Sequence, residues 1–249
     1  MNELLTLTGI VLSAAPMGDY DKRVVVLTKE RGKITAFAKG ARRQNSALLA
    51  ATTPFVFGTF SFYEGRSSYT MMQAEIKNYF QELIHDFEGA YYGFYFMEAA
   101  DYYTRENNDE VQMLKLLYTS LRALTNPHLH KELVRCVFEL KTMVINGEYP
   151  EVFCCAVCGT TEELRAFVSV KDGLVCKECA EGYPQKVRLT GTLVYTLQYI
   201  ISARIEKLYT FTVSEEVLAE FIAVQEQFRK RYIGKSFKSL DILKTILNY

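Results

Sequence analysis

The chain has 249 residues, of which 49% are hydrophobic and 23% are charged, and its formal net charge is zero. This length allows one large or two small globular domains, and the apolar fraction is sufficient for a buried core. No apolar run approaches the roughly 18 residues of a membrane span, and the neutral total gives no sign that the chain as a whole binds polyanions.

The first 80 residues are predicted to form β-structure. Short segments rich in β-branched and aromatic residues alternate with Gly, Asp or Pro. The segments are LLTLTGIVL, RVVVLTKE, GKITAFAKG, PFVFGTFSFYEG and SYTMMQAEI. Short strands in this number predict a small closed barrel, because closure removes the exposed edges that they would otherwise leave.

Positive charge is concentrated in the same region. Residues 1–80 contain ten Lys or Arg and six Asp or Glu, so the rest of the chain carries a net charge of −4. Between Lys22 and Arg43 there are eight basic residues and one acid. This density indicates a surface that binds phosphates.

The strand KITAFAK suggests how such a surface is built. Alternation places its small residues on the inner face, and these are Ile34, Ala36 and Ala38. On the outer face, Phe37 stands between Lys33 and Lys39. This arrangement suits single-stranded DNA, because lysines bind phosphates and an aromatic ring stacks on a base. The alternative is a solvated strand face with one phenylalanine. The predicted DNA-binding residues are Lys22, Arg23, Lys33, Phe37, Lys39, Arg42 and Arg43.

From about Gln81 the apolar period becomes helical. The predicted helices are FEGAYYGFYFMEAADYY, EVQMLKLLYTSLRAL, KELVRCVFELKTMVIN, GTLVYTLQYIISA and SEEVLAEFIAVQEQFRKRYIG. In the last, Ser214 is the expected N-cap, and the apolar stripe is Val217, Phe221, Val224 and Phe228. The aromatic residues of the first helix could stack on bases, but core packing is favoured because the chain contains no tryptophan.

Two Cys-x2-Cys pairs, Cys155 with Cys158 and Cys176 with Cys179, are separated by seventeen residues. This spacing is typical of a four-thiolate zinc site. Paired disulfides fit less well because they need an oxidising compartment, and a redox site would need only one pair. Cys154 is an alternative ligand to Cys155, but the spacing favours Cys155.

Four thiolates leave no open coordination position for water, so we expect one structural Zn²⁺ per chain and not a catalytic one. The three histidines lie outside the cysteine segment. The segment IGKSF ends like a nucleotide-binding P-loop, but Arg229 stands where the first glycine is required. No other catalytic motif is evident, and we therefore expect a binding protein and not an enzyme.

The predicted fold class is α+β and multidomain. Residues 1–80 form the DNA-binding barrel, residues 81–150 and 183–249 form a helical domain, and residues 151–182 form a zinc knuckle inserted into it. Thiolate ligation and the absence of a recognisable signal peptide predict a cytoplasmic protein without a membrane partner.

This combination resembles the bacterial RecO family of recombination mediators. The likeness is densest in GIVLSAAPMGDYDKRVVVLTKERGKITAFAKGARRQNSAL, and Pro54, Phe55 and the four cysteines add to it. The resemblance implies an oligonucleotide-binding (OB) fold that binds single- and double-stranded DNA and anneals complementary strands. It implies a partnership with RecR and with the acidic C-terminal tail of single-strand binding protein (SSB). RecO and RecR together would then help RecA to displace SSB in gap repair. It also implies a nucleoid-associated location.

The resemblance further implies a site for the SSB tail on the helical domain. The best cationic cluster there is Arg229, Arg231, Lys235 and Lys238, although these residues could also be ordinary charge at a helix C-terminus. Two other classes stay open from the residues alone: a zinc-ribbon accessory factor of transcription or translation, and a metal-dependent nuclease. Because the chain is neutral overall, we expect modest and strongly salt-dependent DNA affinity.

Overall fold

The computed structural model describes residues 4–66 and 68–246. Contacts divide the chain into two compact units, Met1–Thr125 with Phe237–Tyr249, and Asn126–Ser236. The barrel therefore shares a unit with the chain up to Thr125 and with the C-terminal segment, whereas the cysteine segment and the helices between Asn126 and Ser236 belong to the other. Among the described residues, no helix is both long enough and apolar enough to cross a membrane.

The predicted barrel is confirmed. Its strands are β1 (Leu4–Met17), β2 (Asp21–Thr28), β3 (Gly32–Ala38), β4 (Phe57–Glu64) and β5 (Tyr69–Asn78). They close in the order β1-β2-β3-β5-β4, with β1 also pairing with β4 and with β3 and β5 parallel. A five-stranded barrel of this kind is the OB fold.

The barrel interior follows the predicted alternation. Ile34, Ala36 and Ala38 are fully buried, and residues from all five strands complete the core. Strands approach closely where Gly9 lies opposite Gly58. A Cβ atom on Gly58 would lie 2.3 Å from the Glu75 backbone oxygen, so only glycine fits there.

The five predicted helices are present in the described chain, together with four further helices. Their bounds are α1 (Leu48–Ala51), α2 (Gln81–His85), α3 (Phe87–Tyr103), α4 (Val111–Leu124), α5 (Lys131–Ile145), α6 (Lys177–Ala180), α7 (Gly191–Ser202), α8 (Glu215–Tyr232) and α9 (Lys238–Ile246). The four that were not predicted are α1, α2, α6 and α9. Asp86 caps α3 by accepting from Gly89 N–H, and Ser214 caps α8 as predicted. Helices α1 to α4 and α9 belong to the barrel unit.

Aromatic contacts join α3 and α4 to the barrel. The ring centroids of Phe55 and Phe94 are 4.8 Å apart, and those of Phe57 and Tyr118 are 4.7 Å apart. Tyr92, Tyr95 and Phe96 of α3 are buried, as core packing requires, whereas Phe87, Phe94 and Tyr102 are exposed. In this chain without tryptophan, the buried tyrosine and phenylalanine rings therefore pack the core.

The second unit contains a small sheet that the sequence reading missed. Its strands are β6 (Leu164–Val168), β7 (Gly173–Cys176) and β8 (Val187–Arg188), in the order β7-β6-β8. The predicted apolar stripe of α8 is buried, and its Phe228 packs edge-on against Phe167 of β6 with centroids 4.8 Å apart. The sheet thus shares its core with α8.

A buried ionic network runs along α5. Arg135 is buried and donates to Glu132 (2.9 and 2.5 Å) and to Glu139 (3.2 Å). Burial alone would lower the pKa of Arg135, but Glu139 and Glu132 hold it well above its ordinary value. The helix that reads as apolar in sequence therefore also carries paired charges in its core.

Candidate nucleic-acid interface and metal centre

All but one of the predicted DNA-binding residues cluster at one end of the barrel, and the exception is Lys33, which lies opposite Leu27 at the other end. Met17 at the end of β1 pairs with Asp21 at the start of β2, and Ala36 near the end of β3 pairs with Tyr69, the first residue of β5. The β1–β2 turn, the segment after β3 and the β4–β5 turn therefore lie at the same end. OB folds bind oligonucleotides with the β2–β3 face and these two turns.

Exposed cations surround this end. None of them forms an ion pair with an acid among the described residues. We call this set the cationic rim, and it consists of Arg23, Lys39, Arg42, Arg43 and Arg66. The Arg42 guanidinium also donates to the Gly18 backbone oxygen (3.0 Å). Guanidinium and ammonium groups without acid partners at one edge of a barrel are suited to contact successive phosphates.

The segment after β3 is held against the β1–β2 turn. Arg42 N–H donates to the Tyr20 backbone oxygen (2.8 Å), and Gly40 N–H donates to Asp21 Oδ1 (2.7 Å). The Arg43 guanidinium lies over the exposed Tyr20 ring, 5.0 Å from its centroid. This contact orients a cation and a ring together at the rim.

Two predicted DNA-binding lysines have other partners. Lys22 Nζ donates to Thr52 O (3.3 Å) and Thr52 Oγ1 (3.1 Å), and burial, with the nearby Arg42 charge, lowers its pKa. Lys33 Nζ lies 3.0 Å from Asp101 Oδ1 and also donates to the Asp101 backbone oxygen. Their ammonium groups hold the barrel to α1 and α3, and a phosphate would have to compete with these contacts.

An outward row of side chains crosses the barrel next to the rim. Arg23 lies opposite Phe37, Phe37 opposite Thr70, and Thr70 opposite Tyr63. Directly paired residues project on the same side of a sheet. Phe37 is half-buried and Tyr63 is 40% exposed. Two strand spacings, about 10 Å, separate these two rings.

Sequence reasoning missed Tyr63 and Arg66. The alternation in β4 signalled Tyr63, because its neighbour Phe62 is fully buried and Tyr63 must then point outward. Arg66 carried no local signal. Only the barrel closure, which places the β4–β5 turn beside the end of β3, brings it to the rim.

The four cysteines of the predicted zinc site converge. The Sγ atoms of Cys155, Cys158, Cys176 and Cys179 all lie within 4.8 Å of one another. The Sγ atoms of Cys158 and Cys176 are 3.8 Å apart, far beyond the roughly 2.05 Å of a disulfide bond. Zinc–sulfur bonds of about 2.3 Å in a tetrahedron place sulfurs about 3.8 Å apart. The donor set therefore fits zinc.

Backbone hydrogen bonds shape the two halves of this centre. Gly159 N–H donates to the Cys155 oxygen (2.9 Å), and Gly159 has a φ of +78°, which closes the first turn. Cys176 ends β7, and Cys179 N–H points at the Cys176 Sγ (3.5 Å). Burial raises the pKa of Cys155, but backbone N–H groups, including that of Cys158, lower it more and bring it to about 6.

The remaining two cysteines lie outside the cluster. Cys154 is half-buried, which agrees with the choice of Cys155 as the ligand. Cys136 is fully buried in α5, and burial raises the pKa of its thiol well above the ordinary value. A thiol that stays protonated in the core is unreactive.

The cations predicted to bind the SSB tail have partners or lie apart in the fold. Arg231 makes a bidentate contact with Asp172 (2.5 and 2.7 Å), which lowers the pKa of that carboxyl. Arg229 pairs with Glu226 at 2.5 Å. Lys238 begins α9 in the barrel unit. Their assignment to a tail site stays a prediction.

Comparisons with known proteins find two family profiles that together match most of the chain. The sequence profile described as Recombination protein O N terminal matches residues 1–80, and that described as Recombination protein O C terminal matches residues 84–241. The DNA repair protein RecO of Acetivibrio thermocellus is 30% identical over 247 residues, which cover 99% of this chain and 98% of that protein.

Two further relatives agree. The DNA repair protein RecO of Alkaliphilus metalliredigens is 31% identical over 98% of this chain and 100% of its own length. That of Halalkalibacterium halodurans is 28% identical over 94% of this chain and 92% of its own length. The similarity therefore extends over both the barrel and the cysteine segment.

Proposed function

Since the chain belongs to the RecO family of DNA repair proteins, we propose that it is a non-enzymatic mediator that binds single- and double-stranded DNA and anneals complementary strands. With RecR, it helps RecA to load onto SSB-coated single-stranded DNA during gap repair. It acts in the cytoplasm, in association with the nucleoid. The observation that carries this proposal is the cationic rim on a closed OB barrel.

In the proposed mechanism, the DNA backbone follows the rim. Arg23, Lys39, Arg42 and Arg43 contact phosphates, and each contact releases condensed counterions. Arg66 extends the rim on the opposite side of the β3–β5 pair. Binding of this kind does not depend on base sequence, because phosphates carry no sequence information.

The rings beside the rim supply stacking. Phe37 and Tyr63 lie in one row of paired positions, and Tyr20 is held at the rim by Arg43. A strand that crosses the row from β2 to β4 would place bases on these rings while its phosphates contact the rim. Stacking contributes about 1–3 kcal/mol per base without selecting a sequence. Unpaired bases held in this way are available to a complementary strand.

The cysteine cluster is proposed to hold one structural Zn²⁺ through Cys155, Cys158, Cys176 and Cys179. When bound, the ion would cross-link the two Cys-x2-Cys turns, and four thiolates leave it no position for water. The chain's own residues then hold the segment on α8 through the Phe167–Phe228 contact and the Arg231–Asp172 pair. The metal thus supports the fold and takes no part in a reaction.

The proposal names RecR, the SSB tail and, indirectly, RecA as protein partners. Family membership supports a repair role for the chain. For the SSB tail, we propose that its carboxylates contact the cations predicted from the sequence, which are Arg229, Arg231, Lys235 and Lys238. Two of them already have acid partners, because Arg229 pairs with Glu226 and Arg231 pairs with Asp172.

An annealing assay tests the proposed function. Two complementary oligonucleotides are coated with SSB, and duplex formation is followed with the chain, using SSB with and without its acidic tail. We expect faster annealing with intact SSB and little with tail-less SSB. Shortening of the labelled strands in magnesium or manganese would show a nuclease, and unchanged annealing rates would contradict the mediator function.

A further inference from the structure

The small sheet of the second unit has a free edge at β8. Arg188 of β8 lies opposite Ala166 of β6, and Leu189 N–H donates to the Arg165 oxygen (2.7 Å). Because hydrogen-bonding directions alternate along a strand, the N–H and C=O of Arg188 point away from β6. Within the described residues β8 pairs with β6 alone, so this edge can accept another extended chain.

Two hollows lie beside this edge. One has a volume of about 490 Å³ and is lined mainly by apolar groups, which are Phe167, Val170, Tyr183, Pro184 and Val187. The other, of about 390 Å³, is lined by the cations Arg165, Lys177 and Arg188 and by the acids Glu163 and Glu181. Lys186 lines both. Successive residues Val187 and Arg188 project to opposite faces of a strand, so the hollows flank the edge on its two faces.

The cations of the second hollow are available to a ligand. Arg165, Lys177 and Arg188 are exposed, and among the described residues none of them forms a hydrogen bond or ion pair through its side chain. Lys186, in contrast, donates to the Ala180 oxygen (2.6 Å). Three unpaired cations in one concavity favour an anionic partner.

We propose that the β8 edge binds an extended acidic peptide in which carboxylate and bulky apolar side chains alternate. Its main chain pairs with Arg188, its carboxylates contact the cationic hollow, and an apolar side chain enters the hollow beside Val187. Strand addition of this kind uses main-chain hydrogen bonds for affinity and pockets on alternate faces for specificity. The inference goes beyond the proposed function, whose tail site lies on other residues.

The same geometry disfavours nucleic acid at this edge. The Tyr183 ring is already contacted by Lys171 Nζ, 6.0 Å from its centroid, so it offers no open stacking platform on that side. Glu163 and Glu181 interrupt the cations and would repel a continuous phosphate chain. A peptide can place its few carboxylates between these acids, which a phosphate backbone cannot do.

Fluorescence anisotropy tests the proposal with a labelled hexapeptide in which aspartate and phenylalanine alternate. The full-length, zinc-loaded chain should bind it, and the double variant Arg165→Glu with Arg188→Glu should bind at least about tenfold more weakly. Lys207→Glu, which reverses an exposed cation of the same unit that lines neither hollow, is the matched control and should bind like the wild type. Zinc content and circular dichroism establish that each variant is folded.

Three comparison probes separate the alternatives. Replacing aspartate by asparagine should abolish most binding, and N-methylation of the central peptide bond should weaken it because a main-chain hydrogen bond is lost. A labelled oligonucleotide should bind the double variant and the wild type equally. The proposal is overturned if the double variant still binds the peptide as the wild type does. It is also overturned if the two substitutions weaken oligonucleotide binding and leave peptide binding unchanged. If the double variant fails to fold, Lys177→Glu alone gives the same test.

Should the peptide fail to bind while the oligonucleotide binds, this inference fails and the proposed function stands. If the wild type binds the peptide but not the oligonucleotide, the inference about the β8 edge stands and the proposed function of the barrel fails.

Discussion

Lys33 and Lys39 follow the same outward alternation around β3, but their ammonium groups have different surroundings. Lys33 contacts Asp101 of α3 at 3.0 Å, and its side chain is 23% exposed. Lys39 is exposed and has no acid partner among the described residues. At the scale of single residues, one lysine serves the fold and the other is free to bind phosphate.

Alanine substitutions distinguish these two roles. Lys33→Ala should lower the free energy of unfolding by about 0.5–1 kcal/mol, because a half-exposed ion pair is lost, and should leave single-stranded DNA affinity nearly unchanged. Lys39→Ala should leave unfolding unchanged and lower the slope of log affinity against log salt by about 0.7, as one phosphate contact is lost. Denaturation by urea and DNA titrations at several salt concentrations measure both. Equal losses of affinity in the two variants would show that Lys33 also contacts DNA.

Alternation in the sequence predicts which face a residue occupies, but not what it touches. Ile34, Ala36 and Ala38 are fully buried as predicted, because the period of a strand fixes the inner face locally. The contact of Lys33 with Asp101 joins positions 68 residues apart. No local pattern contains that information, since it depends on how α3 packs on the closed barrel.

At the scale of elements, the cysteine segment is more than a loop around a metal. It contains β6, β7 and β8, and Phe167 of β6 packs on Phe228 of α8. Glu151 is bridged to Gly173, which ties the entering chain to β7. A zinc ion at one end of this sheet would therefore stabilise contacts that reach α8.

Removing the metal tests this role. Cys158→Ser should lose zinc and lower the thermal midpoint of the second unit, because three thiolates bind the ion more weakly than four. Cys154→Ser, a neighbouring thiol outside the cluster, is the control and should retain one zinc per chain. Metal analysis and thermal melting followed by circular dichroism give the result. Full zinc retention in Cys158→Ser would contradict the ligand assignment.

The contact between Arg231 and Asp172 leads to a second prediction for this element. Arg231→Gln should release the turn before β7 from α8 and lower the thermal midpoint slightly, because two charge-assisted hydrogen bonds are lost. Binding of an SSB-tail peptide should change little, since Asp172 already occupies this guanidinium. Lys230→Gln is the matched control for removal of a charge on α8. A large loss of tail binding in Arg231→Gln, without a loss in Lys230→Gln, would show that Arg231 contacts the SSB tail in spite of its pair with Asp172.

Long helices were predictable and short strands were not. The N-cap Ser214 and the stripe of Val217, Phe221, Val224 and Phe228 specify α8 locally, and all four apolar residues are buried. Strand β8 has two residues, too few for a period to be recognised. The buried pairs of Arg135 in α5 were also missed, because charge in a sequence usually indicates a solvated face.

At the scale of the whole molecule, the barrel unit and the cysteine-containing unit divide the proposed tasks. The barrel unit carries the cationic rim and the row of rings, and the second unit carries the four-cysteine cluster and the free β8 edge. Neutral net charge conceals this division, because the excess of cations in residues 1–80 is offset elsewhere. Local charge, and not the total, is what a DNA strand encounters within a Debye length of about 8–10 Å.

The order of barrel, helices and cysteine pairs was predictable from sequence, because each has its own periodicity or spacing. The grouping of α2 to α4 and α9 with the barrel was not. That grouping depends on contacts such as Phe57 with Tyr118, which are 61 positions apart in the sequence. The domain boundaries predicted from the sequence stay a prediction. The two units show which segments of the chain pack together.

The salt dependence of single-stranded DNA binding tests the central claim, that the cationic rim binds DNA through its phosphates. Affinity is measured by titration at several salt concentrations for the wild type and for the triple variant Lys39→Ala, Arg42→Ala and Arg43→Ala. The account predicts weaker binding to every sequence and a slope of log affinity against log salt that is lower by roughly 2, at about 0.7 per phosphate contact. A triple variant with the affinity and slope of the wild type would contradict it.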